Sequence, residues 1–139
     1  MSNYFNRLAK LRSEISKIKK SKKRKFNKEQ QIMINFINGV TSSAEFKIKD
    51  ITIILKRGDS KKGFQHILER HYCNGCRGEL SATDIINIID VYKRGIRLSE
   101  QGVSNKNLIV YKKIKGLDQL KLVLKPIGKN KYVVTLYRM

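Results

Sequence analysis

The feature that most constrains the fold is the alternation of apolar and polar residues over the last third of the chain. Three segments, 108–114, 117–125 and 131–138, show this period of two, and Gly116 and Gly128 lie between them. A period of two is typical of β-strands that bury one face, and glycines between such strands mark tight turns. Because consecutive strands joined by short turns pair as antiparallel neighbours, a three-stranded meander is predicted here.

The alternation also sorts the side chains of these strands onto two predicted faces. One set is apolar and is predicted to pack against helices: Leu120, Leu122, Leu124, Val134 and Leu136. The other set combines basic, hydroxyl and aromatic side chains: Tyr111, Lys113, Lys121, Lys125, Thr135 and Tyr137. Such a combination is typical of a surface that contacts nucleic acid, although an ordinary solvated face is the alternative for any single lysine.

Helical and strand patterns upstream of the meander complete the fold prediction. Apolar residues at helical spacing predict helices over 27–38, 64–72 and 81–95, with Gly39 just past the first and Ser81 as the N-cap of the last. Alternation over 44–57 predicts one or two further strands, followed by a loop over 58–63. The predicted fold is α+β, with N-terminal helices followed by a short antiparallel sheet that carries one or two helices on one face.

Residues 1–28 form a strongly basic N-terminal segment. They include 11 Lys or Arg and a single acid, an excess that is half of the chain's net charge of +20. The apolar residues recur at helical spacing on one stripe: Tyr4, Leu8, Leu11, Ile15 and Ile18. The run SKKRK that follows favours a solvated linker, because like charges repel. We therefore predict an amphipathic arm over 1–28, serving solubility or attachment to a nucleic acid or membrane, and one α+β domain over 29–139.

The net charge indicates the kind of partner to expect, and other features of the sequence indicate the cellular location. A charge of +20 on 139 residues concentrates polyanions, so nucleic acid is the first partner to expect. No apolar run approaches the ~20 residues needed to cross a bilayer, and the charged N-terminus lacks the apolar region of a signal peptide. The only two cysteines, Cys73 and Cys76, are too close together in sequence to form a disulfide that links distant parts of the fold. A cytoplasmic protein is predicted, of an oligomeric state that the sequence leaves open.

Both histidines of the chain fall in the helical segment GFQHILERH. Metal-independent RNA cleavage needs a base for the 2′-hydroxyl, an acid for the leaving oxygen and cations for the charged phosphorane. Histidine suits both proton-transfer roles, because its ordinary pKa is about 6.5. His66 and His71 are five residues apart, however, and five residues turn an ideal helix to a separation of about 140°. The two rings are predicted to converge only if the helix unwinds toward His71; otherwise His71 faces the core and His66 faces solvent.

A zinc site is the metal alternative for this region. His66, His71, Cys73 and Cys76 lie within eleven residues, and zinc takes four ligands of these types. The spacing fits poorly, because one residue between His71 and Cys73 leaves little chain to wrap an ion. Hard cations prefer several carboxylates, and the acids here are few and scattered. We therefore expect no metal and no other cofactor.

A family resemblance covers residues 46–139. The segment Gly63–His71, the helix after it and the closing strand YVVTLY at 132–137 resemble the phage-associated branch of the barnase/EndoU/colicin/RelE ribonuclease superfamily. The resemblance implies an α+β domain with a helix or two on a short antiparallel sheet, and ribonuclease activity of the toxin type. It also implies an acidic immunity or antitoxin protein as a partner. The functional residues that it implies are His66, His71, Thr135 and Tyr137.

These observations together predict a toxin-type, metal-independent endoribonuclease that cleaves RNA by attack of the 2′-hydroxyl. The predicted RNA-binding residues are Lys113, Lys121, Lys125, Arg70 and Tyr111. Two alternatives remain open at this point. One is a non-catalytic nucleic-acid-binding protein of a phage or plasmid, and the other is a protein held at a membrane surface by its N-terminal helix.

Overall fold

A computed structural model describes residues 3–21, 25–72, 79–97, 108–116 and 118–138. Its helices are α1 (Asn3–Ser21), α2 (Lys28–Ile37), α3 (Phe64–His71), α4 (Ala82–Ile86) and α5 (Asp90–Arg94). Its strands are β1 (Ser43–Ile48), β2 (Ile51–Lys56), β3 (Ile96–Arg97), β4 (Ile109–Lys115), β5 (Asp118–Gly128) and β6 (Lys131–Arg138). The fold class is α+β, as predicted.

The strands of the described residues form one six-stranded sheet in the order β1-β2-β6-β5-β4-β3. The predicted meander is confirmed, since β4, β5 and β6 pair as antiparallel neighbours. Strand β2 pairs with β6 in parallel, with Ile54 opposite Val133, which places the β1–β2 hairpin beside the last strand. The sheet is therefore mixed and larger than the short antiparallel sheet predicted. No local sequence pattern predicts the β2–β6 pairing, because these two strands lie far apart in the chain.

One face of the sheet packs against the helices. Helix α2 contacts β1, α3 contacts β6, and α5 contacts β4 and β5. Strand residues on this helix side are among the least exposed of the protein: Phe46, Ile53, Leu122 and Tyr137 are at most 1% exposed. We call the opposite side the outer face. It carries the residues that alternate with the core positions, such as Ile54, Lys121 and Lys125.

Helix α1 is part of the core. Four residues of the predicted stripe are buried, Tyr4, Leu8, Leu11 and Ile15, and the fifth, Ile18, is partly buried. Two of its arginines donate to the ends of other helices: Arg7 Nη1 to the Leu68 carbonyl at 2.9 Å, and Arg12 Nε to the Ile37 carbonyl at 2.8 Å. Cations satisfy the last carbonyl groups of a helix, which have no partner inside it. The helix forms as predicted, but it completes the core and is therefore not part of an arm separate from the domain, as was predicted for residues 1–28.

The helix predicted over 81–95 is two short helices. It begins as predicted, with a capping box in which Ser81 Oγ accepts the Asp84 N–H and the Asp84 carboxylate accepts the Ser81 N–H. After Ile86 the backbone tightens into hydrogen bonds between residues three apart, and α5 begins at Asp90. The four isoleucines of this region are all buried: Ile85, Ile86, Ile88 and Ile89. One stripe of a straight helix does not bury that many neighbours, and β-branched side chains weaken helical geometry.

Candidate functional site

The two histidines lie together on α3. Both side chains are half-buried, and their ring centroids are 5.4 Å apart with an angle of 68° between the planes. The helix is intact between them, so the expectation that an intact helix separates the rings is wrong. Helical side chains lean toward the N-terminus, so His71 reaches back toward His66. The backbone also leaves α geometry at the next residue, Tyr72, with φ −108° and ψ 73°.

A backbone contact orients His66. Its Nδ1 lies 2.8 Å from the carbonyl oxygen of Ser60 in the preceding loop. A carbonyl oxygen only accepts, so Nδ1 carries the proton in this hydrogen bond, and Nε2 is the basic nitrogen of the neutral ring. His66 is thereby held in the tautomer that can take up and return a proton at Nε2.

Contacts at both ends fix α3 within the fold. At its C-terminal end, Arg7 of α1 donates to the carbonyl oxygens of Leu68 and Glu69. At its N-terminal end, the Gly63 N–H donates to the Thr135 carbonyl at 2.8 Å, which ties the helix to β6. The histidine pair is therefore positioned by the first helix and the last strand of the chain.

The loop over 57–63, between β2 and α3, is folded tightly on itself. The Asp59 carboxylate accepts the backbone N–H groups of Lys61 and Lys62 at 2.8 and 3.1 Å. The hydrogen bond from Lys61 is the main cause that lowers the pKa of the Asp59 carboxyl. Gly58 has φ 65°, and a Cβ atom there would lie 2.1 Å from the carbonyl oxygen of Lys62. Only glycine combines this backbone conformation with so close an approach, so the loop depends on Gly58.

A pocket of about 240 Å³ lies beside this loop. We call it the lysine pocket; its lining residues are Lys56, Gly58, Lys62, Gly63, Lys125, Ile127, Val133, Val134 and Thr135. Two of them are bulged, since the β5–β6 pairing passes over Thr135 on one strand and Ile127 on the other. A β-bulge bends its strand and redirects side chains. The pocket is therefore built by two strand irregularities and the tight loop.

The register of β4 against β5 divides the basic face that the sequence predicts. Tyr111 pairs with Leu122 and Lys113 pairs with Leu120, so both lie on the helix side of the sheet. The prediction that they share a face with the lysines of β5 is therefore wrong. Alternation sorts residues within one strand, whereas the length of the turn at Gly116 sets which residues of two strands lie opposite each other.

Both of these side chains have partners on α5. The rings of Tyr111 and Tyr92 pack edge to face with centroids 4.8 Å apart. The Lys113 ammonium lies 3.9 Å from the Asp90 carboxylate. These contacts hold α5 against β4, and they place Tyr111 and Lys113 away from the outer face.

The remaining predicted RNA-binding residues are solvent-accessible. On the outer face Lys121 stands in a row of cations across three strands, because it pairs with Lys112 on β4 and with Arg138 on β6. Lys125 is exposed at the lysine pocket, and Arg70 is exposed in the last turn of α3. A basic surface therefore exists on the outer face, but the residues that form it differ from the predicted set: Lys112 and Arg138 belong to it, whereas Tyr111 and Lys113 do not.

Tyr137 is buried, against the prediction. Its side chain is 0% exposed, its hydroxyl donates to the Asp84 carbonyl at 2.9 Å, and burial raises the pKa of its phenol. The bulge at Thr135 is the physical reason. One extra residue reverses the alternation, so Val134 and Tyr137 both face the core, whereas Leu136 turns to the outer face. Tyr137 is therefore too deep to touch a phosphate, and Leu136 is not the core residue predicted.

Thr135 lies near Lys125, as predicted, but on the opposite side of the sheet from Tyr137. It lines the lysine pocket together with Lys125, whereas Tyr137 is on the helix side. The Thr135 hydroxyl donates to the Val123 carbonyl at 3.1 Å. Backbone groups displaced from regular pairing need another partner, and this bond supplies one at the bulge. In this structure the Thr135 hydroxyl therefore stabilises the strand pair.

The pocket residues that sequence reasoning missed include Lys56, Lys62, Ile127 and Val133. Gly58 and Gly63 around a charged segment indicate a loop, but the sequence does not show which strand that loop lies against. The bulge at Ile127 gives no signal either, because the apolar and polar residues around it remain compatible with a regular strand.

The metal alternative falls largely outside the described residues, since Cys73 and Cys76 are not among them. Within the described ranges, no three His, Cys, Asp or Glu side chains are grouped so that they could hold a metal ion. Among the helices that the structure describes, none is both long and apolar enough to cross a membrane.

Comparison with known protein families, with curated proteins and with solved structures gives no match to this chain. The family resemblance therefore stays a prediction. Function has to be argued from the chemistry of the site itself.

Proposed function

We propose that the protein is a metal-independent endoribonuclease of the toxin type. The observation that carries this proposal is the histidine pair on α3, with ring centroids 5.4 Å apart and Nε2 of His66 left as the basic nitrogen. These are the only histidines of the chain, and two adjacent imidazoles are the groups that acid–base catalysis needs near neutral pH. The net charge of +20 supports an anionic polymer as the substrate.

In the proposed reaction His66 accepts the proton of a ribose 2′-hydroxyl at Nε2, and the 2′-oxygen attacks the adjacent phosphorus. Protonated His71 donates a proton to the departing 5′-oxygen. The bond between phosphorus and that oxygen breaks, which leaves a 2′,3′-cyclic phosphate and a 5′-hydroxyl. Lys62, in the loop whose Ser60 carbonyl orients His66, is the cation proposed to stabilise the charge of the phosphorane.

The proposal also includes partners and location. RNA is the substrate, because DNA lacks the attacking hydroxyl. An acidic immunity or antitoxin protein is the proposed partner, since it would complement a surface of net charge +20. The proposed compartment is the cytoplasm.

The test is cleavage of a labelled single-stranded RNA in excess EDTA by the full chain and by His66→Ala and His71→Ala. We expect cleavage by the wild type and a loss of about 10²- to 10⁴-fold in each variant, the usual contribution of an acid or a base. A DNA of the same sequence is expected to stay intact. Circular dichroism and an RNA-binding titration on each variant separate loss of chemistry from loss of fold or of affinity.

The matched control is Gln31→Ala, at an exposed position of α2 outside the candidate site. It is expected to retain wild-type cleavage. Undiminished activity in both histidine variants, or activity only after a metal is added, would overturn the proposal.

A second candidate is a nucleic-acid-binding protein without catalysis. The observation that favours it is the row of Lys112, Lys121 and Arg138 across three adjacent strands of the outer face. Such a row follows a phosphate backbone without reading its sequence. This function is favoured if the wild type binds RNA with salt-sensitive affinity but gives no product in EDTA or with added metal.

A further inference from the structure

The lysine pocket combines two kinds of surface. The Ile127 and Val133 side chains are apolar, whereas Lys56, Lys62 and Lys125 are cationic. A wholly apolar pocket suits an uncharged ligand, and a wholly basic surface suits any polyanion. The combination suits a ligand that has one flat apolar part and one anionic part, as a nucleotide has.

The three lysines are available to a ligand. Within the described residues none of them forms an ion pair. The acid of the adjoining loop, Asp59, directs its carboxylate to two backbone N–H groups of the loop. An anion that enters the pocket therefore meets three lysines, of which Lys62 also interacts electrostatically with the Asp59 carboxylate.

The size of the pocket limits what fits. Its volume of about 240 Å³ lies just below the range of roughly 300–1,000 Å³ that is usual for larger ligands. A single nucleotide unit is therefore a better fit than a dinucleotide cofactor or a folded peptide. Neighbouring units of a polymer would have to lie outside the pocket.

The pocket and the histidine pair share one loop. Gly58 and Gly63 line the pocket, and between them Ser60 accepts the hydrogen bond of His66 Nδ1 at 2.8 Å. The glycine at 58 and the hydrogen bonds of Asp59 hold this loop in one shape. A group bound in the pocket is thus in contact with the segment that sets the orientation of His66.

We propose that the lysine pocket is a subsite for one nucleotide of the RNA beside the cleaved bond. Its base lies against Ile127 and Val133, and its phosphate lies at the lysines. The role in cleavage rests on the proposed ribonuclease function, whereas nucleotide binding itself does not. The pocket then selects a short register of single-stranded RNA, because a base inside a duplex is not free to enter it.

The test uses the His66→Ala/His71→Ala double variant of the full chain, so that binding is measured without catalysis. Nucleoside 5′-monophosphates, the parent nucleosides and inorganic phosphate are titrated separately and followed by the methyl NMR signals of isoleucine and valine. We expect the monophosphates to bind more tightly than either the nucleoside or phosphate alone, with the largest shifts at Ile127 and Val133.

Three variants in that background identify the site. Lys125→Ala is expected to weaken monophosphate binding by about 3- to 10-fold, the effect of losing one ordinary hydrogen bond, because Lys125 is exposed to solvent. Ile127→Ser, at a position that is 49% exposed, is expected to weaken nucleoside binding while leaving the fold intact. Lys47→Ala is the matched charge control, since Lys47 is exposed on β1 and does not line the pocket; it is expected to change affinity by less than about twofold.

The outcomes separate the subsite from the proposed function. Equal affinities for inorganic phosphate and monophosphates, or no effect of Lys125→Ala, would overturn the nucleotide subsite even if the wild type cleaves RNA. Monophosphate binding at Ile127 and Val133 in a protein that does not cleave RNA would uphold the subsite and refute the ribonuclease. If both hold, Lys125→Ala in the wild-type background should raise KM for RNA cleavage more than it lowers kcat.

Discussion

At the scale of single residues, the Tyr137 hydroxyl connects the last strand to the helical layer. The ring is completely buried, and the hydroxyl donates to the Asp84 carbonyl at the first turn of α4. Buried polar groups are tolerated in a core only when they are paired, so this bond anchors α4 on the sheet. Tyr137 is a structural residue, and its removal should separate stability from activity.

We expect Tyr137→Phe to lower the free energy of unfolding by about 1–3 kcal/mol, because the buried Asp84 carbonyl loses a donor that water cannot replace. RNA cleavage by the folded protein should be unchanged. Urea denaturation followed by circular dichroism measures the first quantity, and an RNA cleavage assay measures the second. Tyr132→Phe is the control on the same strand, at a half-buried position, and should change stability by no more than about 0.5 kcal/mol. A large loss of cleavage with intact stability would restore Tyr137 to the site.

At the scale of elements, α1 joins the other helices through apolar contacts and through its arginines. Arg7 and Arg12 reach the C-terminal carbonyls of α3 and α2, so part of its positive charge serves helix capping and not attraction of a ligand. Tyr72 directly follows α3, and its hydroxyl donates to the Glu14 carboxylate of α1. The element that holds the histidine pair therefore depends on the first helix of the chain.

Leu11→Ala tests whether α1 belongs to the core. Leu11 is 0% exposed, and we expect a loss of about 2–5 kcal/mol in the free energy of unfolding from the cavity that forms. Ser16→Ala, at an exposed position of the same helix, should change stability by no more than about 0.5 kcal/mol. Thermal and chemical unfolding of both variants provide the comparison. Equal stability of the two would show that α1 is the separable arm after all.

The loop between β2 and α3 offers a second prediction at this scale. Gly58→Ala should destabilise the protein by at least about 2 kcal/mol, because its left-handed conformation is strained and its Cβ would meet the Lys62 carbonyl at 2.1 Å. RNA cleavage should fall as well, since the loop orients His66. Gly116→Ala is the control: it has φ 60° with nothing within 4 Å of its Cβ, so the conformational strain alone should amount to about 1 kcal/mol. Comparable losses in stability at the two glycines would contradict the tight packing of the loop.

At the scale of the whole molecule, some cations make contacts within the protein, whereas others lie on the outer face of the sheet. Arg7 and Arg12 cap helices and Lys113 faces Asp90, whereas Lys112 and Lys121 form part of the outer row. Only cations that contact phosphates release counterions when RNA binds. The salt dependence of binding therefore reports which face of the sheet the RNA occupies.

For the histidine double variant we expect the logarithm of RNA affinity to fall linearly with the logarithm of salt concentration, by about 0.7 per phosphate contact with a single strand. Lys121→Ala should reduce that slope by about 0.7 if its ammonium contacts one phosphate. Lys113→Ala removes the same charge from the helix side and should leave the slope unchanged. Fluorescence anisotropy at several salt concentrations measures both. A smaller slope in Lys113→Ala than in Lys121→Ala would place the RNA on the wrong side of the sheet for this proposal.

The sequence by itself determined the elements whose signals are local. Ser81 opens α4 with the side-chain cap expected, because a cap involves residues three positions apart. The stripe of α1 and the meander of β4, β5 and β6 follow from periods of 3.6 and two residues. The histidines were candidates because of their residue type, their location in one short segment and the family resemblance, but no pattern showed that the two rings meet.

Tertiary structure decided the features that depend on pairing between distant segments. The parallel β2–β6 pair, the register of Tyr111 and Lys113, and the bulge that buries Tyr137 all depend on how two strands align. One extra residue in a strand exchanges its two faces without changing the local pattern of the sequence. For the same reason the lysine pocket, with walls from two bulges and a loop, emerged only from the folded chain, because its geometry is set by strand alignment and not by the residues that line it.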